Sequence, residues 1–266
     1  MKIVVTIKQV PETNKVAVNP KTGTLIREGV ESILNPFCEY ALDMAVELKV
    51  QNPDLKVEII VISMGPPQAK YALIRCLELG ADKAYLLSDR AFAGSDVWAT
   101  ALTIKEGILK KIGNFDLILA GKQAIDGDTA QVPAELAENL GIPHIYYGFD
   151  INIENKKINV KKETEKGYQV IEASLPALVT ISKGPSSIRR LPSMKEMVEA
   201  RKKPLEIISA KSLNLDENKI GLNGSFTQVV KIFSPPTKEA GEIIEGDDSI
   251  NAAKKLFKFL KEKKIV

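Results

Sequence analysis

The chain has 266 residues, of which 44% are hydrophobic and 27% charged, and its formal net charge is +3. These values are typical of a globular protein, and the small net charge argues against binding to nucleic acid. The sequence contains no secretory leader and no apolar span of about 18 residues, so we expect a cytoplasmic protein without a membrane span.

The cysteines and the histidine exclude several kinds of catalytic centre. Cys38 and Cys76 are far apart and lack the spacing of metal ligands, which indicates a chain without disulfide bonds. His144 is the only histidine, and it follows Pro143 in an apolar context where a packed or solvated residue is more usual than a catalyst. We therefore expect no metal site and no acid–base or nucleophilic catalysis by side chains.

Short apolar segments alternate with amphipathic segments through the first half of the chain. Strands are expected at 2–7, 57–62, 83–87 and 116–119, and helices at 38–49, 68–79, 96–112 and 134–141. The strands lack strict alternation of polar and apolar residues, as strands buried on both faces do. This order of elements predicts an α/β fold with a doubly wound, mostly parallel sheet and right-handed crossovers.

The pattern changes to alternation of polar and apolar residues between 145 and 175. Such alternation, with turn residues at Glu154-Asn155-Lys156, predicts an antiparallel β-meander with one face in water. A further apolar segment at 177–181 is expected to return to the main sheet.

After Ile181 the density of apolar residues falls. We therefore expect an α/β domain at 1–190 and a second segment at 191–266. This segment is expected to begin with a short basic helix at 191–203, to continue without strong periodicity and to end in a helix at 250–265. A stretch this long without a core of its own is typical of an extended arm that packs on a partner chain.

Residues 121–131, which join the fourth strand to its helix, are mostly small or polar. Nucleotide phosphates bind to backbone N–H groups at such turns, at the carboxyl edge of an open α/β sheet. Neither Gly-x-x-x-x-Gly-Lys-Ser/Thr nor Gly-x-Gly-x-x-Gly is present. The turn therefore predicts either a nucleotide site, with Gln123 and Gln131 on ribose or base, or an ordinary turn in which Asp128 or Thr129 caps the helix.

Three other turns are expected at the same edge of the sheet. Asn35 and Pro36 suit the N-cap and the first position of the first helix. Glycine and small polar residues also follow the second and third strands, at 63–67 and 88–94. Four such turns at one edge favour a binding site over an isolated turn.

Four motifs are specific in combination: Val4-x-Thr6-x-Lys8-Gln9-Val10-Pro11, Asn35-Pro36-Phe37, Gly121-Lys122-Gln123-Ala124-Ile125-Asp126, and Leu191-Pro192 ahead of a basic helix. With these motifs the chain resembles the β (small) subunit of electron transfer flavoprotein over nearly its whole length. The resemblance implies a sheet of the adenine-nucleotide-binding type and a heterodimer with a larger, flavin-holding α subunit. It also implies that a loop around Leu191 docks on dehydrogenase partners.

The nucleotide in the site divides this family. The resemblance implies a structural AMP in conventional members, whose motif tends to run Asp-Asp-Asp-x-Asn-Gln. It implies a second FAD, reduced by NADH, in electron-bifurcating members, whose motif tends to run Asp-Gly-Asp-Thr-Ala-Gln. This chain has Asp126-Gly127-Asp128-Thr129-Ala130-Gln131, so FAD is expected and AMP is the alternative. Glycine at 127 removes a side chain and a negative charge next to a diphosphate.

The resemblance implies three groups of functional residues. Those expected to hold FAD or AMP are Thr6, Asn35, Pro36, Phe37, Cys38, Met64, Gln123, Ala124, Ile125, Asp126, Gly127, Asp128, Thr129, Ala130 and Gln131. Those expected to bind NADH are Ser88, Asp89, Arg90, Phe92 and Gly94. Leu191 is expected to contact redox partners, which include dehydrogenases and a ferredoxin-type acceptor.

Two residues depart from the bifurcating pattern. Pro133 stands where glycine is usual and restricts the backbone at the start of the helix. Trp98 stands where leucine is usual, and it either stacks on a flavin or nicotinamide ring or packs against the sheet. The alternative outside the family is an ATP-using enzyme or a stand-alone nucleotide sensor, against which the missing Gly-rich phosphate loop and the long arm argue.

Overall fold

The computed structural model describes residues 1–12, 31–184, 191–230, 243 and 248–266. The chain divides into two compact units, Met1–Lys231 and Ile232–Val266. The first unit contains the predicted sheet, and the described residues of the second contain one helix.

The strands within the described residues are β1 (Lys2–Ile7), β2 (Gln9–Pro11), β3 (Ser32–Leu34), β4 (Glu58–Met64), β5 (Lys83–Leu87), β6 (Leu117–Gly121), β7 (His144–Glu154), β8 (Lys157–Thr164), β9 (Gly167–Ser174), β10 (Ala177–Ile181) and β11 (Leu205–Ile208). The α-helices are α1 (Pro36–Gln51), α2 (Lys70–Glu78), α3 (Val97–Gly107), α4 (Val132–Leu140), α5 (Met194–Ala200) and α6 (Ser249–Glu262). A π-helical turn at Ile108–Ile112 continues α3. All strands and helices predicted for the first half of the chain are present, with small shifts at their ends.

The main sheet has the strand order β11-β5-β4-β1-β6-β10-β7-β8-β9. Neighbours are parallel from β11 to β7, and the β7-β8 and β8-β9 pairs are antiparallel. The chain runs outward from β1 through β4 to β5 and then returns to β6 on the other side of β1. The turns that follow β1 and β6 therefore lie next to each other at the carboxyl edge, which confirms the predicted doubly wound sheet.

Alternate side chains of the central strand pack on opposite faces of the sheet. Val5 belongs to an apolar cluster with α1, α2 and α5, of which Leu42 is a fully buried member. Val4 belongs to a second cluster with α3 and α4, which includes Ile104 and Leu136. Burial on both faces explains why the strands lack strict alternation of polar and apolar residues.

The predicted meander is formed by β7, β8 and β9. β7 pairs with β10 as far as Gly148 and with β8 from that residue onward, with a shift in register at this point. Tyr147 has a φ of 56°, in the left-handed region, which marks the bulge. Gly148 is required there, because a Cβ would lie 2.8 Å from the Cγ1 atoms of Val160 and Val179.

Residues 191–230 add two elements to the first unit, whereas the sequence prediction places the division of the chain after residue 190. β11 pairs in parallel with β5 at the edge of the sheet. The Nζ of Lys203, just after α5, donates to the carbonyl oxygens of Leu77 (2.9 Å) and Ala81 (2.7 Å). The predicted basic helix is shorter than expected and begins with a capping box formed by Ser193 and Glu196.

The described part of the second unit is the predicted C-terminal helix. Asp248 caps α6 by accepting a hydrogen bond from the N–H of Asn251 (2.7 Å). No helix in the described ranges is long and apolar enough to cross a membrane.

Candidate functional site

The candidate site lies at the carboxyl edge of the sheet, where the segment after β6 meets the start of α1. Gly121 ends β6 directly against the first turn of α1. A Cβ at this position would lie 2.6 Å from the carbonyl carbon of Phe37 and 2.7 Å from the N of Cys38. Only glycine permits this approach, so Gly121 brings the segment 122–131, hereafter the site loop, against the helix N-terminus.

Asn35 fixes the first part of the site loop. Its side chain is fully buried and donates from Nδ2 to the carbonyl oxygen of Gln123 (2.9 Å). Its Oδ1 accepts a hydrogen bond from the N–H of Ile125 (3.2 Å). Asn35 occupies the N-cap position of α1, with Pro36 following as expected, but its side chain makes no capping bond. The prediction of Asn35 at the N-cap position is confirmed, and its side-chain amide binds the site loop instead of the N–H groups of α1.

The second part of the site loop has a backbone suited to anions. Asp128 (φ 53°) and Ala130 (φ 55°) are left-handed, and Gln131 after them is right-handed. Successive residues of opposite hand turn their N–H groups toward one point, the nest geometry that binds phosphate. Within the described part of the chain, the N–H groups of Thr129 and Ala130 have no hydrogen-bond acceptor. These N–H groups are suitable donors for a phosphate.

Two polar pairs order the side chains of the site loop. The Nζ of Lys8, just after β1, lies 2.7 Å from Oδ1 of Asp126. The side-chain amide of Gln123 donates to the carboxylate of Asp128. Neither Asp128 nor Thr129 caps the next helix, which was the alternative to a nucleotide site, because α4 begins at Val132 with Gln131 at the N-cap position and without a side-chain cap.

Gly127 lies at the exposed tip of the site loop. A Cβ built on it would have one neighbour within 4 Å among the described residues, the Nζ of Lys8 at 3.8 Å. Its φ is outside the left-handed region. Neither packing nor backbone conformation therefore requires glycine here.

The remaining residues predicted to bind the nucleotide lie toward the carboxyl ends of β1 and β4 and in the first turn of α1. Thr6 and Met64 are half-buried, near the ends of β1 and β4. The ring of Phe37 lies under the ammonium group of Lys122, with Nζ 4.7 Å from its centroid. Cys38 is buried, and burial raises the pKa of its thiol, so it remains a neutral thiol at neutral pH.

The segment predicted to bind NADH, 88–94, follows β5 at the same edge, and part of it serves the fold. The carboxylate of Asp89 accepts hydrogen bonds from the N–H groups of Ala91 (3.1 Å) and Ala210 (3.0 Å). Phe92 is buried in the α3/α4 cluster. Arg90 is exposed and forms no ion pair within the described ranges. Ser88 is half-buried and Gly94 exposed, so Arg90, Ser88 and Gly94 are the accessible members.

A segment that the sequence analysis did not assign to the site, residues 220–227, covers part of this loop. Leu222 donates its N–H to the carbonyl oxygen of Ala93 (3.1 Å). Gly221 lies so close that a Cβ would be 2.1 Å from the carbonyl oxygen of Ala91. The ring of Trp98 packs against Phe226 of this segment, with centroids 5.6 Å apart. The sequence signal was weak, because the segment has no periodicity.

Asp96 joins the covering segment to α3. One carboxylate oxygen caps α3 by accepting from the N–H of Ala99 (3.0 Å), and the other accepts from the N–H (2.9 Å) and Oγ1 (3.0 Å) of Thr227. Burial opposes ionisation of Asp96, but these hydrogen bonds outweigh it and lower its pKa. Burial, together with the nearby charge of Asp96, raises the pKa of Glu135 in α4, whose Oε2 is buried without a partner among the described residues.

A family model described as "Electron transfer flavoprotein domain" matches residues 22–213. The chain belongs to the electron transfer flavoprotein family. This membership and the observed fold confirm the resemblance drawn from the four sequence motifs.

Similar proteins cover nearly the whole chain. The "Caffeyl-CoA reductase-Etf complex subunit CarD" of Acetobacterium woodii is 49% identical over 266 residues, 100% of both chains. The "Electron transfer flavoprotein subunit beta" of Thermoanaerobacterium thermosaccharolyticum is 46% identical over 93% of both chains. The "Acryloyl-CoA reductase electron transfer subunit gamma" of Anaerotignum propionicum is 39% identical over 93% of this chain and 94% of its own. These relatives carry the names of subunits of electron-transfer complexes.

Two further sequence predictions concern the partner contact at Leu191 and metal binding. Leu191, predicted to contact redox partners, is 75% exposed ahead of α5. No group of three or more potential metal ligands occurs in the ranges that the structure describes. The partner role of Leu191 and the division of labour between the two loops stay predictions.

Proposed function

We propose that this chain is the β subunit of a heterodimeric, cytoplasmic electron transfer flavoprotein and that its site loop holds FAD. When bound, this FAD would accept a hydride from NADH and deliver its electrons separately to a high-potential and a low-potential acceptor. The partners would be a flavin-holding α subunit and further redox proteins, with a ferredoxin-type protein as the low-potential acceptor. The relative at 49% identity is named as a subunit of a reductase-Etf complex, which supports this assignment.

Gly127 is the observation that carries the choice of FAD over AMP. The fold tolerates a side chain at this position, since Lys8 is its one neighbour within 4 Å among the described residues. Glycine therefore leaves the tip of the loop open for a reason outside the folded chain. A ligand longer than AMP, with a diphosphate and a ring system, requires that space and requires that no third carboxylate join Asp126 and Asp128.

The donors of the site fit a flavin dinucleotide. The N–H groups of Thr129 and Ala130 and the ammonium group of Lys8 would hold its phosphates. Gln123 and Gln131 offer both donors and acceptors for ribose and adenine. The chain's own contribution would be to bind and orient the cofactor.

NADH would approach from the neighbouring 88–94 segment. Arg90 is exposed and offers a free guanidinium group for dinucleotide phosphates within the described surface, whereas Asp89 and Phe92 support the loop from below. We therefore assign the contact with NADH to Ser88, Arg90 and Gly94 and a supporting role to Asp89 and Phe92.

The test is to express the chain together with its α subunit and to count the bound cofactors. Two flavins per heterodimer, one of them reduced directly by NADH, are expected. The variant Gly127→Asp should retain one flavin and lose most of the second, because its carboxylate occupies the open tip and repels the diphosphate. Gly127→Ala, which adds a methyl group without charge, is the matched control and should retain more of the second flavin.

One flavin and one extractable AMP per heterodimer would overturn the FAD assignment and favour a scaffold role with AMP. ATP hydrolysis by the chain without an α subunit would contradict the proposed function as a subunit of an electron-transfer complex. Cofactor counts follow from the absorption spectrum and from chromatography of the acid-extracted nucleotides.

A further inference from the structure

Lys8 holds a position next to the site loop that does not depend on its side chain. Its carbonyl oxygen accepts a hydrogen bond from the N–H of Asn35 (3.0 Å), and the side chain of Asn35 in turn holds Gln123 and Ile125. The backbone at Lys8 is therefore tied to the same residue that orders the loop. Its ammonium group reaches the tip of the loop from this fixed base.

The ammonium group of Lys8 has one ionic partner in the described part of the chain, Asp126, at 2.7 Å. The side chain of Lys8 is 46% exposed and that of Asp126 is 28% exposed. Ion pairs with this exposure contribute little net stability. Exchange of Asp126 for another anion therefore costs the protein little.

The other charges around Lys8 leave it accessible from the side of Gly127. Asp128 is held by the amide of Gln123, so it does not compete for the lysine. Lys122 lies over the ring of Phe37. The Nζ of Lys8 is 3.8 Å from the point where a side chain at 127 would begin, and glycine leaves that point empty.

We propose that Lys8 is a residue that determines specificity for the number of phosphate groups on the ligand, by exchanging Asp126 for phosphate when a nucleotide binds. This inference rests on the proposed function of the site loop as a nucleotide site. The N–H groups of Thr129 and Ala130 bind phosphate through fixed dipoles, whereas Lys8 adds a full charge on a flexible side chain. The energy that Lys8 contributes therefore grows with the charge of the ligand and is absent for a nucleoside.

The exchange makes Asp126 a competitor of the ligand. In the free protein the carboxylate of Asp126 is paired with the ammonium group of Lys8. In the complex this carboxylate would be released to solvent. Removal of the negative charge at 126 should therefore strengthen the binding of phosphates. If the ion pair only ordered the loop, removal of either partner would weaken nucleotide binding.

The test measures binding of adenosine, AMP and ADP by calorimetry to the full chain in complex with its α subunit, after removal of the bound nucleotide from this chain. Lys8→Gln should lower the affinity for ADP by about 10- to 100-fold, the usual effect of losing a charge-assisted hydrogen bond. It should lower the affinity for AMP by a smaller factor and change that for adenosine by less than about twofold. Lys8→Arg should restore most of the ADP affinity, and Asp126→Asn should increase it.

Lys122→Gln is the matched control, because it removes a lysine of the same loop whose ammonium group faces Phe37. Any loss of affinity in Lys122→Gln should be the same for adenosine, AMP and ADP. Equal losses for all three ligands in Lys8→Gln, or weaker ADP binding in Asp126→Asn, would overturn the role of Lys8. If the unmodified complex binds none of the three ligands, the proposed nucleotide site itself is wrong, and this result differs from both of the others.

Discussion

Gly121 at the end of β6 and Gly127 in the site loop are six positions apart, and the structure gives them opposite roles. An added Cβ at 121 would lie within 2.8 Å of three backbone atoms of Phe37 and Cys38, which belong to a helix and cannot yield easily. At 127 it would meet the end of the flexible Lys8 side chain at 3.8 Å. The first glycine serves the fold, and we assign the second to the ligand.

Gly121→Ala should therefore lower the free energy of unfolding by about 1–3 kcal/mol, since the start of α1 must move away from β6. Gly127→Ala, the control, should change it by less than about 0.5 kcal/mol. Chemical denaturation followed by circular dichroism measures both. Equal effects of the two substitutions would contradict the assigned packing of Gly121 against α1.

A single side chain, that of Asn35, holds the first part of the site loop in place. Asn35→Ala leaves the carbonyl oxygen of Gln123 and the N–H of Ile125 without their buried partner, and it should cost about 1–3 kcal/mol of stability and weaken nucleotide binding. Asn139→Ala is a suitable control, because the hydrogen bond described for that amide runs to the carbonyl oxygen of Glu135 in its own helix. The same denaturation assay, together with nucleotide titration, measures both effects. If Asn139→Ala weakens nucleotide binding as strongly as Asn35→Ala, the side chain of Asn35 does not hold the loop in its binding conformation.

At the scale of elements, Asp96 connects the start of α3 with the covering segment 220–227. A carboxylate at a helix N-cap that also binds a distant loop couples the order of the two elements. Asp96→Ala should lower the free energy of unfolding by about 1–3 kcal/mol and speed hydrogen exchange at the amides of Leu222 and Thr227.

Asp216→Ala provides the comparison for this element. Asp216 caps a short 3₁₀ turn in the same region through the N–H of Asn218 (3.0 Å), and none of its described hydrogen bonds reaches α3. Its removal should cost about 1 kcal/mol or less and leave the exchange of Thr227 unchanged. Faster exchange at Thr227 in this variant too would mean that the segment is not held through Asp96.

At the scale of the whole molecule, His144 makes stability depend on pH. Burial lowers its pKa from 6.5 to about 4, and its Nε2 is buried without a hydrogen-bond partner among the described residues. The unfolded chain therefore binds the proton first as the pH falls, so the effect is absent above pH 7 and destabilises the fold progressively between pH 6.5 and about 4.

At pH 5 this linkage should remove about 1–2 kcal/mol of the free energy of unfolding relative to pH 7. Because His144 is the only histidine, His144→Gln should abolish most of the pH dependence between about pH 6.5 and 5. Denaturation of both proteins across this range is the measurement. An unchanged slope in the variant would contradict the burial of a neutral imidazole.

Much of the fold was predictable, because its elements are local. The apolar runs of β1, β4, β5 and β6 and the helices between them follow from residue patterns within about ten positions, and their order restricts the topology of the sheet. The edge at which the site lies followed as well, since the carboxyl ends of parallel strands share one side. β11 and the segment 220–227 escaped prediction because their order comes from interactions with distant parts of the chain.

The sequence by itself determined the class of fold, the loop that we propose as the nucleotide site and the family to which the chain belongs. The tertiary structure alone decided the roles of single residues within that loop. Asn35 is an ordinary helix cap by its sequence context, and only its distance to Gln123 and Ile125 makes it a clamp. The pairing of Lys8 with Asp126 joins residues 118 positions apart. Side-chain roles of this kind depend on long-range geometry, which local residue patterns do not contain.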